Sequence, residues 1–168
     1  MTIQTPTPLL ALKITLPHAD DTDWLGTTLA QSLLSDATGG VIYLQGDLGA
    51  GKTALVRSLI KSCGFVGRIK SPSYTLLETY KISSLYFYHL DFYRFKDPQE
   101  LEEAGFRDLF HDKAVVLIEW PEKAEGLLPQ PDLIIKLIYK GEGRIANIDA
   151  FTQRGAKWTQ QINRQRKA

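Results

Sequence analysis

Apolar and polar positions alternate at the start of the chain: over 11–16, Leu12, Ile14 and Leu16 are separated by Lys13 and Thr15, the period of a half-buried strand. From 20 to 35 the period changes. Leu25, Leu29, Leu33 and Leu34 fall at helical spacing, and Asp20, Asp21 and Asp23 lie at the end where the helix dipole favours negative charge. Gly39 and Gly40 close that unit, and Val41 to Leu44 is a continuous apolar run, as expected of a strand covered on both faces. Beyond a glycine-rich turn, Leu55, Val56, Leu59, Ile60 and Cys63 recur at three- and four-residue steps, with Gly64 placed as the C′ residue of a helix. The order is strand, glycine loop, helix.

Further along, 76–80 and 85–92 read as two strands parted near Ser83 and Ser84. Asp97-Pro98-Gln99-Glu100 reads as a helix start, with Asp97 as N-cap, Pro98 at the first helical position and Glu100 in the capping-box place; Gly105 limits that helix to about two turns. Ala114 to Ile118 is a second buried-strand run stopped by Pro121, and 133–139 and 144–151 form an antiparallel hairpin across Gly141-Glu142-Gly143. A last amphipathic stretch runs from Gly155 into Arg164, Arg166 and Lys167.

Length and charge narrow what such a chain does. Its 168 residues suit one domain over 1–168 with a sizeable core, and 43% hydrophobic with 23% charged residues is the composition of a folded globular protein. Twenty basic against nineteen acidic side chains leave a net charge of +1, so no strong field draws the chain by itself to nucleic acid or anionic lipid. No apolar run approaches the ~20 residues needed to span a bilayer, and Met1 to Pro8 lack the basic-then-apolar order of a signal peptide. A single cysteine, Cys63, allows no intramolecular disulfide, and His18, His89 and His111 are scattered without metal-ligand spacing. A cytoplasmic location follows as the expectation. Cys63 lies on the apolar face of its helix, where burial is its expected role.

Chemistry concentrates in Gly46-Asp47-Leu48-Gly49-Ala50-Gly51-Lys52-Thr53, which fits the phosphate-binding pattern of Gly, four free positions, Gly-Lys and Ser or Thr. Several backbone N–H groups must approach a triphosphate at once, which side chains at Gly46, Gly49 and Gly51 would obstruct, while the following helix adds partial positive charge. Lys52 supplies a full charge at the β and γ phosphates and Thr53 a hydroxyl for Mg²⁺. Such a loop needs an acid at the end of a neighbouring apolar strand, and Glu119 stands there after Ala114 to Ile118. Trp120 fits two readings equally: packing beside the nucleotide or a partner, or burying apolar area. In 85–92, period 2 puts Leu85, Phe87, His89 and Asp91 on one face. Asp91 then either positions an attacking water or a magnesium-bound water, or it caps a turn with His89 hydrogen-bonded in the sheet. Ser71-Pro72-Ser73-Tyr74-Thr75 is a polar, proline-fixed loop downstream of the phosphate helix, where nucleotide switches often lie. Together these elements define an α/β chain, a three-layer P-loop NTPase-like fold with a mixed central sheet, parallel near the nucleotide and antiparallel at 80–92 and 133–151.

With those pieces in place, the sequence resembles the bacterial TsaE (YjeE) family, the small ATPase of tRNA threonylcarbamoyladenosine biosynthesis. The resemblance runs from about Val41 to Tyr139. It is carried by Gly46 to Thr53, Ser71-Pro72-Ser73-Tyr74-Thr75-Leu76, His89-Leu90-Asp91-Phe92-Tyr93-Arg94 and Glu119-Trp120-Pro121, in the family's order and spacing. It implies ATP and Mg²⁺ as cofactors, with Lys52 and Thr53 serving phosphates and metal and Glu119 completing the metal site. Asp91 and Trp120 would matter for turnover, and Thr75 would belong to a segment sensing the γ-phosphate. It also implies TsaB and TsaD as partners, tRNA reached through that complex, and a helper ATPase that resets the complex between cycles. One departure is Ala54, where many relatives carry a second threonine; it puts only a secondary hydrogen bond in doubt.

Two other readings compete. A small-molecule or nucleoside kinase would need an arginine-bearing lid, and no arginine lies between Lys113 and Gly143, although Arg94 and Arg107 stand elsewhere. A binding module would use nucleotide only to hold a partner-competent shape. The guanine-reading Asn-Lys-x-Asp string is lacking, which favours ATP over GTP. The tail Arg164, Arg166 and Lys167 reads as a solvated helix end or as a contact to tRNA or an acidic partner face.

Overall fold

The computed structural model describes residues 6–167; the first five residues, where the amino-terminal expectation begins, lie outside the described residues. The elements follow the chain as β1 (Leu10–Leu16), α1 (Ala19–Asp36), β2 (Gly40–Gln45), α2 (Lys52–Ser62), β3 (Leu77–Ile82), β4 (Leu85–Asp91), α3 (Pro98–Glu103), β5 (Ala114–Glu119), β6 (Leu133–Lys140), β7 (Gly143–Ala150) and α4 (Gln153–Lys167). Short 3-10 turns at Phe106–Leu109 and Pro121–Ala124 flank β5. The expected element order holds, with boundaries moved by a residue or two. α3 starts as its sequence implies: the Gln99 N–H donates to the Asp97 carboxylate at 3.0 Å, with Pro98 in the first turn.

All seven strands join one mixed sheet in the order β1-β7-β6-β2-β5-β4-β3. β2 runs parallel to both β5 and β6, and β4 parallel to β5, whereas β3 pairs antiparallel with β4 and β7 antiparallel with β6 and β1. The parallel centre is apolar on both sides, and β5 is buried at every position, as its uninterrupted hydrophobic run requires. Alternate residues feed two cores. Val115 and Leu117 face α1, α2 and α4, while Ala114, Val116 and Ile118 face α3 and the 3-10 turns.

The register fixes where chemistry sits. Leu44 lies opposite Glu119, and Asp91 lies opposite Glu119 on the other flank of β5. The carboxyl ends of β2, β5 and β4 therefore reach one line along the sheet, where ligands of parallel α/β sheets bind. Gly39 and Gly40 are needed behind it for close packing: a Cβ on Gly40 would stand 2.4 Å from the ring of Trp158 on α4. No helix among the described residues is long and apolar enough to cross a membrane.

Candidate functional site

The loop between β2 and α2 is held open from outside. Gly46, Gly49 and Gly51 have φ of +141°, +80° and +107°, a region that disfavours side chains. A Cβ at Gly46 would lie 2.5 Å from the Leu137 carbonyl oxygen and one at Gly49 2.8 Å from the Tyr139 hydroxyl, so contact with β6 by itself disfavours a side chain at both positions. The Tyr139 hydroxyl donates to the Leu48 carbonyl at 2.9 Å, and Arg144 donates to the carbonyls of Ala50 at 3.0 Å and Gly49 at 3.3 Å. The guanidinium of Arg144 lies over the Tyr139 ring at 4.1 Å. With those carbonyls turned to the hairpin, the first amides of α2, which have no acceptor within the helix, open on a cavity of about 410 Å³.

Lys52, Thr53, Asp91, Glu119 and Trp120 all line that cavity, with Ser71 and Ser73 on its far wall. Lys52 is buried, and its ammonium donates to the carbonyls of Gly46 at 2.6 Å and Asp47 at 3.0 Å while lying 4.5 Å from the centre of the Trp120 ring. Burial lowers the Lys52 pKa from its ordinary value, and the carboxylates of Glu119 and Asp91 oppose that fall. The Thr53 hydroxyl stands 3.0 Å from each oxygen of the Glu119 carboxylate, to which it donates. Behind Glu119, buried His89 places Nε2 2.6 Å from Oε2.

Asp91 caps a turn, as one of its two readings has it, and also lines the cavity. One carboxylate oxygen accepts the Tyr93 N–H at 2.9 Å, capping the turn after β4, and the group also faces the cavity. Burial is the main cause that raises its pKa, the Tyr93 bond lowers it, and Glu119 nearby raises it further. His89 is hydrogen-bonded within the sheet, as the turn-capping reading has it, and its partner is Glu119 at the end of β5. Trp120 has a φ of +56°, which turns the chain sharply after β5, and its ring packs on Tyr93 at 5.1 Å. It is half-buried, covers the Lys52 ammonium and lines the cavity while packing on the core that faces α3.

Thr75 stands apart from this group. It is exposed, and its hydroxyl donates to Glu78 at 3.1 Å; Ser71 and Ser73 of the same loop line the cavity in its place. Asp47, Leu48 and Ala50 keep to the loop itself, and Leu48 is largely exposed at its rim. Ala54 sits at the junction with a second cavity of about 400 Å³, which shares Gly51 with the first and extends past Leu16, His18, Thr22 and Arg144. Cys63 is buried and its thiol is pushed up to about 12 by burial, an inert core group as expected. Of the basic tail, Arg166 donates to the Lys13 carbonyl at 2.9 Å and Arg164 is exposed. Tyr139 and Arg144 carry no motif; only the β6–β7 pairing, which sets them opposite each other, could have brought them forward from the sequence.

Comparison with known proteins decides the family. The model of TsaE, the threonylcarbamoyl adenosine biosynthesis protein, matches residues 16–146. The chain belongs to the TsaE family. It is 45% identical over 115 residues to the Haemophilus influenzae tRNA threonylcarbamoyladenosine biosynthesis protein TsaE, covering 68% of this chain and 73% of that one. The Bacillus subtilis protein of the same name is 38% identical over 104 residues, 62% and 65% of the two chains. The crystal structure of Bacillus subtilis YdiB superposes with a TM-score of 0.71 at 26% identity, covering 94% of this chain and 97% of that one. The TsaE match spans the glycine loop, both carboxylates at the sheet edge and the Tyr139–Arg144 pair.

Proposed function

We propose that this protein is a magnesium-dependent ATPase that serves tRNA threonylcarbamoyladenosine formation together with TsaB and TsaD counterparts. The observation that carries the reading is the convergence of Lys52, Thr53 and Glu119 at the mouth of a glycine loop whose Leu48, Gly49 and Ala50 carbonyls are tied to Tyr139 and Arg144. Family membership supports the pathway, and the TsaB and TsaD partners are those that the resemblance of the sequence implies.

Magnesium suits the donor set. The Thr53 hydroxyl donates its hydrogen bond to Glu119, which leaves its oxygen lone pairs for a hard cation, and the Glu119 carboxylate adds oxygens beside it. Among the described residues no group of three or more His, Cys, Asp or Glu side chains gathers to hold a metal alone. Phosphate oxygens and water would complete the shell. When bound, the ion would neutralise phosphate charge, and Thr53 and Glu119 are the residues that would hold it.

Each remaining part has a task in this scheme. Lys52 exchanges the Gly46 and Asp47 carbonyls for phosphate oxygens. Asp91, made a better proton acceptor by burial, orients the attacking water. The second cavity, joined to the first at Gly51 and Ala54, has the size and place for the nucleoside. Arg94 lines the cavity with its guanidinium engaged on the Tyr74 ring at 4.3 Å rather than free for a γ-phosphate, and hydrolysis by the isolated protein is expected to be slow.

Phosphate release from ATP and Mg²⁺, measured with and without TsaB and TsaD counterparts and tRNA, tests the reading. Strong stimulation that falls by at least ~100-fold in Lys52→Ala is expected. Intact ATP binding without stimulation would favour a kinase and a search for its acceptor.

A further inference from the structure

We propose that His89 is a positioning residue whose Nε2–H locks the Glu119 carboxylate against Thr53, presetting the oxygen pair that receives magnesium; the inference rests on the ATPase reading above.

The imidazole has no access to solvent, and its two nitrogens are treated very differently. Nε2 lies 2.6 Å from Glu119 Oε2, while Nδ1 is buried with no hydrogen-bond partner. A bare N–H in such a place costs more than a bare lone pair, because under-satisfied acceptors are tolerated where orphaned donors are not. The proton therefore belongs on Nε2, where Glu119 accepts it. An apolar side chain would fill this position in the sheet without leaving an orphan, since Phe87 precedes it on the same face and its register partner is Leu117. The orphaned Nδ1 is the cost of supplying one N–H to Glu119.

That bond completes a chain of constraint. Glu119 is gripped from behind by β4 and from the front by the first turn of α2, where Thr53 meets both of its oxygens. Without His89 the carboxylate would have only the hydroxyl to hold it, and the lysine ammonium of Lys52 nearby would compete for it. Outer partners of metal-site carboxylates typically change metal affinity by ~10- to 100-fold. The role is thus expected to appear in magnesium dependence rather than in nucleotide binding as such.

The test compares wild type, His89→Gln and His89→Leu by titrating a fluorescent ADP analogue at varied Mg²⁺ and in EDTA. Wild type should bind more tightly with magnesium. His89→Leu should shift the Mg²⁺ midpoint at least ~10-fold upward while binding in EDTA stays within about twofold, and His89→Gln, which keeps an N–H donor, should recover most of the shift. A wild-type midpoint in a folded His89→Leu protein overturns the proposal and leaves the ATPase reading intact. Equal binding with Mg²⁺ and EDTA in wild type overturns both. Long-range ¹H–¹⁵N correlation spectra of the unaltered protein give an independent check: an Nε2–H tautomer at His89 supports the assignment, and an Nδ1–H tautomer overturns it.

Discussion

The two faces of the sheet are covered very unequally. On one face lie α1, α2 and α4, of 18, 11 and 15 residues, over a core that runs from Ile14 to Ile162. On the other lie α3, of six residues, and two 3-10 turns of four residues each. Every buried charged or ring-nitrogen group of the site belongs to the heavily covered face: His89 and Asp91 continue the row of Leu85 and Phe87, and Glu119 that of Val115 and Leu117. A polar site can grow out of an apolar row only where the next layer supplies partners, and here the row turns polar where α2 begins. The lighter face has no such partner and stays apolar to its edge with Phe92 and Ile118. Trp120 joins the two, packing against the lighter core while covering Lys52.

The sharpest way to break this comparison is to remove one large ring from each face. Trp158 is fully buried on α4, fits the space left by Gly40 and donates its indole N–H to Asp36 at 2.9 Å. Trp158→Ala is expected to cost ~3–5 kcal/mol, because three long helices cannot close on the void. Phe106 lies in a 3-10 turn that can move inward, so Phe106→Ala should cost no more than ~3 kcal/mol, the lower end for such truncations. Urea unfolding with unchanged slope measures both; equal losses would mean that the lighter layer packs as rigidly as the heavier one.

The same inequality explains how far the sequence could be read. The heavily covered elements announce themselves, since Leu25, Leu29 and Leu33 or Leu55, Leu59 and Cys63 repeat over several turns, and β5 is a pure apolar run. The loop from Gly46 to Thr53 and Glu119 were legible because backbone geometry and strand ends restrict which residues stand there. The pairing of His89 with Glu119 was not, because it depends on β4 lying beside β5 in one register, a contact between residues 30 apart. Tyr139 and Arg144 were hidden for the same reason: their bonds reach back more than ninety positions to the loop they brace. Thr75, placed by resemblance at the phosphates, is turned to Glu78 here, a side-chain choice that no spacing encodes.

A smaller effect should appear at Asp91, where function and stability pull apart. Burial raises its pKa, so the ionised carboxylate at neutral pH is a cost to the folded state, one that is relieved as pH falls through the folded-state value. Asp91→Asn keeps an oxygen for the Tyr93 N–H and removes the charge. It is expected to stabilise the protein by ~1 kcal/mol at pH 7 while abolishing partner-stimulated phosphate release. Because wild type gains the same relief on protonation, the advantage of the variant should shrink in thermal melts taken at lower pH. An advantage that stays constant down to acid pH would show that charge is not its source.

The smallest effect separates the same physics by sign. Asp36, at the end of α1, accepts from the Lys157 ammonium at 2.7 Å and from Trp158, tying α1 to α4 within the heavily covered layer. The Lys157 bond is the main cause that lowers its pKa below the ordinary 3.8. Its contribution is therefore complete above that value and is lost as pH falls through the lower folded-state value, opposite to Asp91. Lys157 is 67% exposed, so solvent screens the pair and Asp36→Asn should cost less than ~1 kcal/mol at pH 7. An asparagine oxygen still accepts the indole N–H, which confines the loss to the charge. Wild type and variant should converge in stability as pH falls below the lowered folded-state value of Asp36, and melts that stay apart at the acid end would place the stabilisation in packing rather than in the ion pair.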